Sequence, residues 1–314
     1  MLSRTLTSRP LRHHSVHIII AGGSGFLGSL LIKKLCSHGA KITLLTRNPN
    51  NVDAQPNVKI VYWDGQTLQL PPHEKPIDAI INLCGLSIAR WWTPSAKNSI
   101  TQSRVQPSKA LVKWCLSTNK PPKTFVQISG IDYYDLNTTA CNENDNHGNT
   151  FLARLSKEWE ETTMPLQQSD TRLVIPRLAP VLARTHPPLL PLLLSTRCCL
   201  GSIAGPGSQY FSWIHHDDFV NIIHKMVHTP EMTGIYNVCA PNPVPYATFM
   251  RTLASICHRP LWLSLPSWFM KSLLGEMASL ILDSRKVFPT RLSKSRHQFK
   301  YPEIQQALTQ IIQS

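Results

Sequence analysis

The chain has 314 residues, of which 42% are hydrophobic and 16% are charged. This composition excludes a disulfide-stapled peptide and a wholly disordered chain, because enough apolar area is available to offset the chain entropy that folding removes. Lysine and arginine exceed aspartate and glutamate by 14, a surplus that favours anionic partners such as phosphates, nucleotides, nucleic acid or an anionic membrane surface.

Residues 1–15 form a basic leader that we exclude from the fold. The leader carries Arg4, Arg9 and Arg12 among several serines and threonines, and the first acidic residue of the chain is Asp53. Leaders of this kind resemble organellar transit peptides; a disordered tail or an upstream start codon is the alternative. We therefore expect a mitochondrial matrix protein if the leader is a transit peptide, and a cytoplasmic protein otherwise.

The eight cysteines are scattered along the chain and form no Cys-x-x-Cys motif. Half of them lie inside apolar stretches, as Cys84 does at the end of the run 80–84. This pattern favours reduced thiols in an intracellular compartment over a disulfide framework or a zinc site, so we predict no metal. No apolar run approaches the ~18 residues of a spanning helix, which predicts a soluble protein rather than a transmembrane one.

From residue 16 onward, short β-branched runs alternate with helix-like segments. The candidate strands are residues 16–21, 41–45, 58–61, 77–83, 124–128, 172–177 and 235–238. This alternation predicts an α/β fold with a Rossmann-type, doubly wound parallel sheet of about seven strands. It fails after residue 183, where several prolines interrupt a leucine-rich stretch. We therefore predict a nucleotide-binding domain over 16–183, with a returning strand near 235–240, and a smaller substrate-side region over 184–314.

A glycine-rich loop follows the first strand and opens the first helix, with the sequence Ala21-Gly22-Gly23-Ser24-Gly25-Phe26-Leu27-Gly28. Glycines in this place permit a tight turn, a close approach of backbone to a pyrophosphate and close helix–sheet packing. The helix N-terminus offers unpaired N–H groups to the anion. In this strand–loop–helix context the motif predicts dinucleotide binding; a plain glycine-rich turn is the alternative.

The end of the second strand indicates which dinucleotide is bound. NAD sites usually place Asp or Glu there to accept hydrogen bonds from the ribose hydroxyls, whereas this sequence reads Leu45-Thr46-Arg47-Asn48. A guanidinium with no carboxylate nearby favours a 2′-phosphate. We therefore predict NADP(H) rather than NAD(H), with a solvated loop arginine as the alternative interpretation of Arg47.

These residues are similar to those of an extended short-chain dehydrogenase/reductase in the NAD-dependent epimerase/dehydratase superfamily. The similarity narrows to an atypical branch, described as epimerase family or SulA-like proteins, that has a distinctive C-terminal domain. It covers about residues 16–312, nearly the whole chain. The segments that carry it are residues 21–28, 82–85, 103–105, 128–134, 151–160, 212–218, 274–278 and 285–292.

The resemblance implies a cofactor role for two groups of residues. One group lies in the glycine loop and consists of Gly22, Ser24, Gly25, Phe26, Leu27 and Gly28. The other lies at the ends of later strands and on the following helix: Arg47 at the adenosine phosphate, Asp64 near the adenine, Leu83 and Gly85 beside the nicotinamide ribose, and also Cys84 and Arg104. Ala21 and Cys84 stand where Thr and Ala are usual, and both are small enough to preserve the loop.

The acid–base pair typical of the superfamily, Tyr-x-x-x-Lys, is absent, because no tyrosine of the chain has Lys four residues later. When the segment 151–160 is aligned on Glu160, Leu152 falls on the Tyr position and Ser156 on the Lys position. Lys157 is one residue away, which is roughly 100° around the helix. The usual proton donor is therefore missing from its usual place.

Three hypotheses account for this absence. Tyr133 or Tyr134 would supply the proton with Ser129 or Lys157 as partner, unless both tyrosines only pack in the crevice wall. Alternatively, the reaction needs only hydride transfer, with water as the proton source. In the third hypothesis the protein binds NADP(H) without turnover.

The segment 212–218, Ser-Trp-Ile-His-His-Asp-Asp, contains the residue types of a hydrolase triad, but the chain has no Gly-x-Ser-x-Gly elbow. We therefore predict that Asp217 and Asp218 begin a helix and that His215 packs near the pocket. His224 and His228 are four residues apart, but they lack an evident third ligand, which favours a solvated helix face over a metal site.

The segment 285–300 carries six lysines and arginines and no acidic residue. Phe288 and Phe299 are too few aromatics for a nucleic-acid surface, so nucleic acid is an unlikely partner. We predict a basic rim beside an anionic substrate or a protein assembly partner. Together, the sequence predicts an NADP(H)-dependent oxidoreductase or epimerase of unknown small-molecule substrate; the alternative is a non-catalytic NADP(H)-binding structural or regulatory subunit of a larger assembly.

Overall fold

The computed structural model describes residues 15–52, 55–70, 77–135 and 140–313. The predicted leader therefore lies, except for Ser15, outside the described residues. Seven parallel strands form the central sheet: β1 His17–Ala21, β2 Lys41–Thr46, β3 Val58–Tyr62, β4 Ala79–Asn82, β5 Thr124–Gln127, β6 Arg172–Leu178 and β7 Gly234–Val238. Their order is β7-β6-β5-β4-β1-β2-β3, and the short strand Ser129–Gly130 also pairs with β6.

This sheet confirms the predicted α/β fold and its seven strands, with ends that differ by one or two residues. The largest difference is at β4, which begins at Ala79 rather than residue 77 and ends at Asn82. The hydrogen-bonded register with β1 starts only at Ala79, opposite Ile18. The apolar pattern that suggested an earlier start reflects burial of Ile77, which is 1% exposed but precedes the paired residues.

The strands are buried on both faces, which is why they form nearly continuous apolar runs. Ile18 and Ile20 belong to a core cluster with residues of the first helix and of helix 216–228, whereas Ile19 packs into a second cluster with Leu111 and Phe125 on the opposite face. The alternating directions of successive side chains thus build a three-layer sandwich with helices on both faces.

The helices connect and cover these strands. They are α1 Phe26–Ser37, α2 Pro94–Ser117, α3 Phe151–Glu161, α4 Leu189–Arg197, α5 His216–His228, α6 Tyr246–Ile256, α7 Ser267–Leu274, α8 Ser279–Leu282, α9 Thr290–Lys294 and α10 Ile304–Gln313. Among the described helices, none is both long and apolar enough to cross a membrane.

The C-terminal part of the chain has a hydrophobic core of its own. Leu189, Phe249 and Leu308, from α4, α6 and α10, pack in one cluster around Trp213. Short strand pairs complete this lobe, among them Ser202–Ala204 with Leu263–Leu265. The returning strand β7 joins the central sheet, as expected, and α5 packs against the sheet as well, since Phe219 lies in the same core cluster as Ile18.

Candidate functional site

The glycine loop between β1 and α1 brings the backbone of two strand ends into contact. Gly22 has a φ of +75°, and a Cβ built on it would lie 2.8 Å from the backbone of Leu83 and Cys84 at the exit of β4. A Cβ on Gly28 would lie 2.3 Å from the Cα of Gly23, so the helix rests directly on the loop. Gly25 caps α1 without a side-chain hydrogen bond. A side chain at Gly22 or Gly28 would collide with backbone atoms, so these two positions require glycine. The N-terminus of α1 offers backbone N–H groups to an anion.

Two cavities meet at this loop and share Gly22, Gly25 and residues 83–86 in their linings. One cavity has a volume of about 390 Å³ and extends past the end of β2. The other has a volume of about 590 Å³ and extends past β5 and β6 to the C-terminal lobe. The two are therefore the ends of one groove along the carboxyl edge of the sheet, the place where open α/β sheets bind their ligands.

The structure brings all the predicted cofactor residues into this groove. The smaller cavity is lined by Gly22, Ser24, Gly25, Arg47, Asp64, Leu83, Cys84 and Gly85. The larger cavity is lined by Phe26, Leu27, Gly28 and Arg104 in addition to the shared residues. Their roles toward a cofactor stay predictions, but their placement in one groove follows from the strand order.

The smaller cavity has a cation at its mouth and hydroxyl groups beside it. Arg47 is exposed and makes no ion pair with any residue that the structure describes. The hydroxyl of Thr46 donates to Ser24 Oγ at 3.4 Å and accepts from the backbone N–H of Asn48 at 3.2 Å. Asp64 accepts a hydrogen bond from the backbone N–H of Gln66 at 2.8 Å. A free guanidinium next to hydroxyl groups is suited to a phosphate ester.

Burial changes the chemistry of two side chains at the centre of the groove. It raises the pKa of the Cys84 thiol to about 12 against the opposing charge of Arg47, so this thiol is protonated at neutral pH and is no nucleophile. Burial also lowers the pKa of Arg104 to about 10, against the opposing charge of Asp132. The Arg104 guanidinium donates to the carbonyl of Ile100 at 3.1 Å and lies 5.2 Å from the ring centre of Trp159.

The hydroxyl of Ser129 belongs to a buried network that contains an ion pair. It donates to Glu160 Oε1 at 2.6 Å, and Glu160 accepts from Arg177 Nε at 2.9 Å and from Arg177 Nη2 at 2.8 Å. Burial acts to lower the pKa of Arg177, but the hydrogen bonds and charge of Glu160 outweigh it and raise that pKa. Ser129 lines the larger cavity, while the network behind it joins β6 to α3.

The other three predicted catalytic residues are not among the residues that line the two cavities described above. The ring of Tyr133 lies 3.3 Å below the guanidinium carbon of Arg177. The hydroxyl of Tyr134 donates to Asn237 Oδ1 at 2.6 Å, and burial raises the pKa of this phenol. Lys157 is 3.1 Å from His147 Nε2 and 3.9 Å from Glu161 on the outer face of α3. The structure therefore brings Ser129 to the groove without these partners.

Leu152 and Ser156, which the alignment placed at the superfamily's Tyr and Lys positions, do line the larger cavity. Both side chains are buried, at 4% and 5% exposure. The surface that faces the predicted nicotinamide end thus carries an alkyl group and a neutral hydroxyl in place of a phenol and an ammonium.

His215 serves as the N-cap of α5. Its Nδ1 accepts from the backbone N–H of Asp217 at 3.0 Å, and its Nε2 lies 2.7 Å from Gln310 Oε1. His215, His216 and Asp217 are close enough to hold a metal ion, but both ring nitrogens of His215 are engaged and Asp217 pairs with Lys300 at 2.7 Å. As predicted, the segment begins a helix and His215 is packed, since its side chain is buried.

The burial of this N-cap histidine predicts that the stability of the protein depends on pH. Burial, assisted by the charge of His216, lowers the pKa of His215 from 6.5 to about 4. As the pH falls, the unfolded state takes up this proton first, so stability present above pH 6.5 is lost between pH 6.5 and 4, by up to roughly 3 kcal/mol. Urea unfolding of the wild type and of His215→Asn across this range measures the effect.

The expected result is a flatter pH profile in the variant. His224, whose pKa burial also lowers to about 4, is present in both proteins and cancels in the comparison. Parallel profiles would show that His215 does not titrate differently on folding.

The basic segment 285–300 is only partly a surface feature. Arg285 lines the larger cavity, where its Nε donates to Asp132 Oδ1 at 2.5 Å. Arg291, on α9, donates to the carbonyl of Ile235 on β7 at 2.6 Å. Lys294 and Arg296 are exposed. The predicted basic rim is thus divided between internal contacts and a smaller exposed group.

Sequence reasoning missed the ion pair between Asp132 and Arg285, together with Asp283, whose carboxylate lies 3.7 Å from Arg285 Nη2. All three line the larger cavity. Asp132 and Arg285 both lie in segments that carried the family resemblance, but 153 positions separate them. Only the folded chain shows that they meet.

Comparisons with known proteins find two family patterns in the chain. The sequence pattern of the NAD dependent epimerase/dehydratase family matches residues 18–239, and that of a domain of unknown function, DUF1731, matches residues 265–311. An epimerase family protein of Staphylococcus saprophyticus is 33% identical over 94% of this chain and 99% of its own length. The Arabidopsis thaliana protein named epimerase family protein SDR39U1 homolog, chloroplastic, is 31% identical over 94% of this chain and 86% of its own length.

A solved structure is similar over almost the whole chain. The crystal structure of human epimerase family protein SDR39U1 (isoform 2) with NADPH superposes with a TM-score of 0.86 at 28% sequence identity. The similarity covers 95% of this chain and 100% of that one. The structural similarity therefore includes the C-terminal lobe as well as the central sheet.

Proposed function

The chain belongs to the NAD dependent epimerase/dehydratase family, and from that premise we propose that it binds NADP(H) in the groove and acts as an oxidoreductase or epimerase on a small molecule. The observation that carries the proposal is the cradle at Gly22, where a side chain would collide with the exit of β4. Such a close backbone approach is what a bound pyrophosphate requires.

The choice of NADP(H) over NAD(H) is supported by two observations. Arg47, at the end of β2 where an NAD site would carry a carboxylate, makes no ion pair within residues 15–52, 55–70, 77–135 and 140–313. The human structure is described as containing NADPH. In our proposal, the guanidinium of Arg47 holds the 2′-phosphate, Asp64 lies near the adenine and Gly22, Gly25 and Gly28 surround the pyrophosphate.

Replacing Arg47 by alanine should weaken NADPH binding by about 10- to 100-fold and leave NADH binding unchanged, because a charge-assisted hydrogen bond contributes roughly 1.5–3 kcal/mol. Titration calorimetry with both nucleotides measures this. Lys41→Ala is the matched control, since Lys41 is an exposed cation at the opposite end of the same strand. Equal losses for NADPH and NADH would assign Arg47 to another role.

When bound, NADP(H) supplies a hydride donor or acceptor. The residues of the chain then orient the nucleotide and limit the access of water. Leu83, Gly85 and Arg104 line the centre of the groove, between the proposed adenosine end and the wall formed by Leu152 and Ser156. A nicotinamide ring in the larger cavity would thus face buried, mostly apolar side chains.

The source of the proton stays a prediction. Ser129 is the candidate that lines the groove, with its hydroxyl on the carboxylate of Glu160. Tyr133, Tyr134 and Lys157 would need a rearrangement to reach a ligand in the larger cavity. Water entering from the open end of the groove is the alternative source.

A second candidate function is a non-catalytic NADP(H)-binding subunit. The observation that favours it is the replacement of the superfamily's phenol and ammonium by Leu152 and Ser156 at the wall of the cavity. NADPH consumption with a panel of small carbonyl compounds separates the two functions. Steady consumption supports the enzyme, whereas tight retention of NADPH with no consumption supports the subunit.

The cellular location is part of the same proposal. The Arabidopsis relative carries the description chloroplastic, whereas the leader of this chain suggests mitochondrial import. Fusion of residues 1–15 to a fluorescent protein tests the leader directly. Mitochondrial fluorescence supports import, and a uniform cytoplasmic signal contradicts it.

A further inference from the structure

The larger cavity ends in a chamber between the sheet and the C-terminal lobe. We define the interlobe chamber as the part of that cavity lined by residues of segments 128–132, 152–159, 178–181, 209–212 and 280–285. It lies beyond the glycine loop and beside the proposed nicotinamide end. A substrate that exchanges hydride with the cofactor must therefore occupy this chamber.

The walls of the interlobe chamber are mainly apolar. They include Leu152, Leu155, Trp159, Phe211, Leu280 and Ile281. An enclosed apolar wall favours ligands that bury hydrocarbon surface, at roughly 25 cal/mol for each Å² removed from water. The apolar part of this wall gives no hydrogen bonds to the hydroxyls of a ribose or a hexose.

Polar side chains also line the chamber, and several of them already have protein partners: Ser129 donates to Glu160, Ser212 donates to the carbonyl of Arg285, and Gln209 Nε2 donates to the carbonyls of Ala204 and Ile281. A polar pair, Asp132 and Ser156, lies beside Gly130. The Oδ2 of Asp132 and the Oγ of Ser156 each lie 3.8 Å from the position that a Cβ on Gly130 would occupy. The other oxygen of Asp132 accepts from Arg285. The Asp132 carboxylate can accept a hydrogen bond from a ligand hydroxyl, and the Ser156 hydroxyl can donate one to a hydroxyl or carbonyl oxygen.

The arginine of the chamber, Arg285, is already paired with carboxylates. Arg285 lies between the carboxylates of Asp132 and Asp283, and it also donates to the carbonyl of Ser279 at 3.0 Å. Arg104 lines the same cavity outside the chamber segments, and it donates to the carbonyl of Ile100. Among the described lining residues of the chamber, no lysine is present. A diphosphate bound here would have to remain buried without a free cation, which costs several kcal/mol per charge.

We propose that the interlobe chamber takes a neutral, largely apolar molecule with one hydroxyl or carbonyl group, and that it rejects nucleoside diphosphate sugars. The reacting group sits between Asp132 and Ser156, and the hydrocarbon part contacts Leu152, Trp159 and Ile281. This inference rests on the proposed function, because the chamber is the substrate site only if NADP(H) fills the rest of the groove.

A matched pair of ligands tests the proposal on the NADPH-loaded protein. Naphthol is neutral, whereas naphthyl phosphate presents the same ring with a phosphate on the same oxygen. We expect naphthol to bind at least about tenfold more tightly than naphthyl phosphate in titration calorimetry, and UDP-glucose to show no saturable binding. Tighter binding of naphthyl phosphate or saturable binding of UDP-glucose would overturn the proposal, as would no binding of naphthol up to its solubility limit.

Two variants locate the selectivity in the chamber. Asp283→Asn removes one carboxylate and should reduce the preference for naphthol at least about threefold, because less negative charge faces the phosphate. Asp132→Asn provides the same test at the other carboxylate if Asp283→Asn fails to fold. Asp170→Asn, at an exposed position outside the cavities, should keep the preference unchanged. An unchanged preference in the folded chamber variants would contradict the assignment.

The failure of this inference can be told apart from that of the proposed function. NADPH titration of the unloaded protein comes first. A protein that does not bind NADPH contradicts the proposed function, whereas one that binds both NADPH and UDP-glucose contradicts only the substrate class proposed for the chamber.

Discussion

Replacing Glu160 by alanine should lower the free energy of unfolding by about 3–5 kcal/mol, since the substitution leaves the guanidinium of Arg177 buried without its counter-charge. Arg177 is 2% exposed, and its Nη1 has no hydrogen-bond partner among the described residues even in the wild type. Ser129 would lose the acceptor of its hydroxyl as well. Urea unfolding followed by circular dichroism measures the loss.

The neighbouring glutamate provides the control for this experiment. Glu161 is exposed and lies 3.9 Å from Lys157, so Glu161→Ala should change the stability by less than about 1 kcal/mol. If Glu160→Ala does not fold, the double variant Glu160→Leu with Arg177→Met removes both charges and should recover a cooperative transition. Equal stabilities of Glu160→Ala and Glu161→Ala would show that the buried network contributes nothing.

Replacing Gly22 by alanine should weaken NADPH binding by at least about 100-fold. The new Cβ would lie 2.8 Å from the backbone of Leu83 and Cys84, so the loop must move away from the exit of β4. That movement takes the loop amides away from the pyrophosphate that we propose they bind. Titration of the folded variant with NADPH gives the affinity directly.

Gly39→Ala is the control for this experiment. It separates damage to the nucleotide cradle from the general cost of placing a side chain at a positive φ. Gly39 has a φ of +80° after α1, and a Cβ there would meet nothing within 4 Å. The substitution should therefore cost about 1–2 kcal/mol of stability and leave NADPH affinity unchanged. A comparable loss of affinity in both variants would mean that backbone strain, rather than the cradle, governs binding.

The sheet and the cofactor groove could be predicted because their signals are local in sequence. Strands buried on both faces appear as short apolar runs, and the glycine loop joins the first of them to α1 within a few residues. Arg47 could be placed at the groove because the ends of parallel strands lie at one edge of the sheet. The distance along the chain matters little when the strand order is known.

The substrate side could not be predicted because its contacts are distant in sequence. Asp132 meets Arg285 across 153 positions, and the C-terminal lobe that supplies Arg285 has no repeating pattern that fixes its fold. The surroundings of the tyrosines could not be predicted for the same reason. Their position after β5 suggested the crevice, but Asn237 binds the hydroxyl of Tyr134 in the core, and only the arrival of β7 shows this.

The most direct test of the account is the titration of the purified, cooperatively folded wild-type chain with NADPH, followed by heat and by nicotinamide fluorescence. We predict saturable binding of one NADPH per chain, and weaker binding of NADH. The absence of heat and of any fluorescence change with either nucleotide would contradict the account, since the cradle at Gly22 would then serve only to turn the chain.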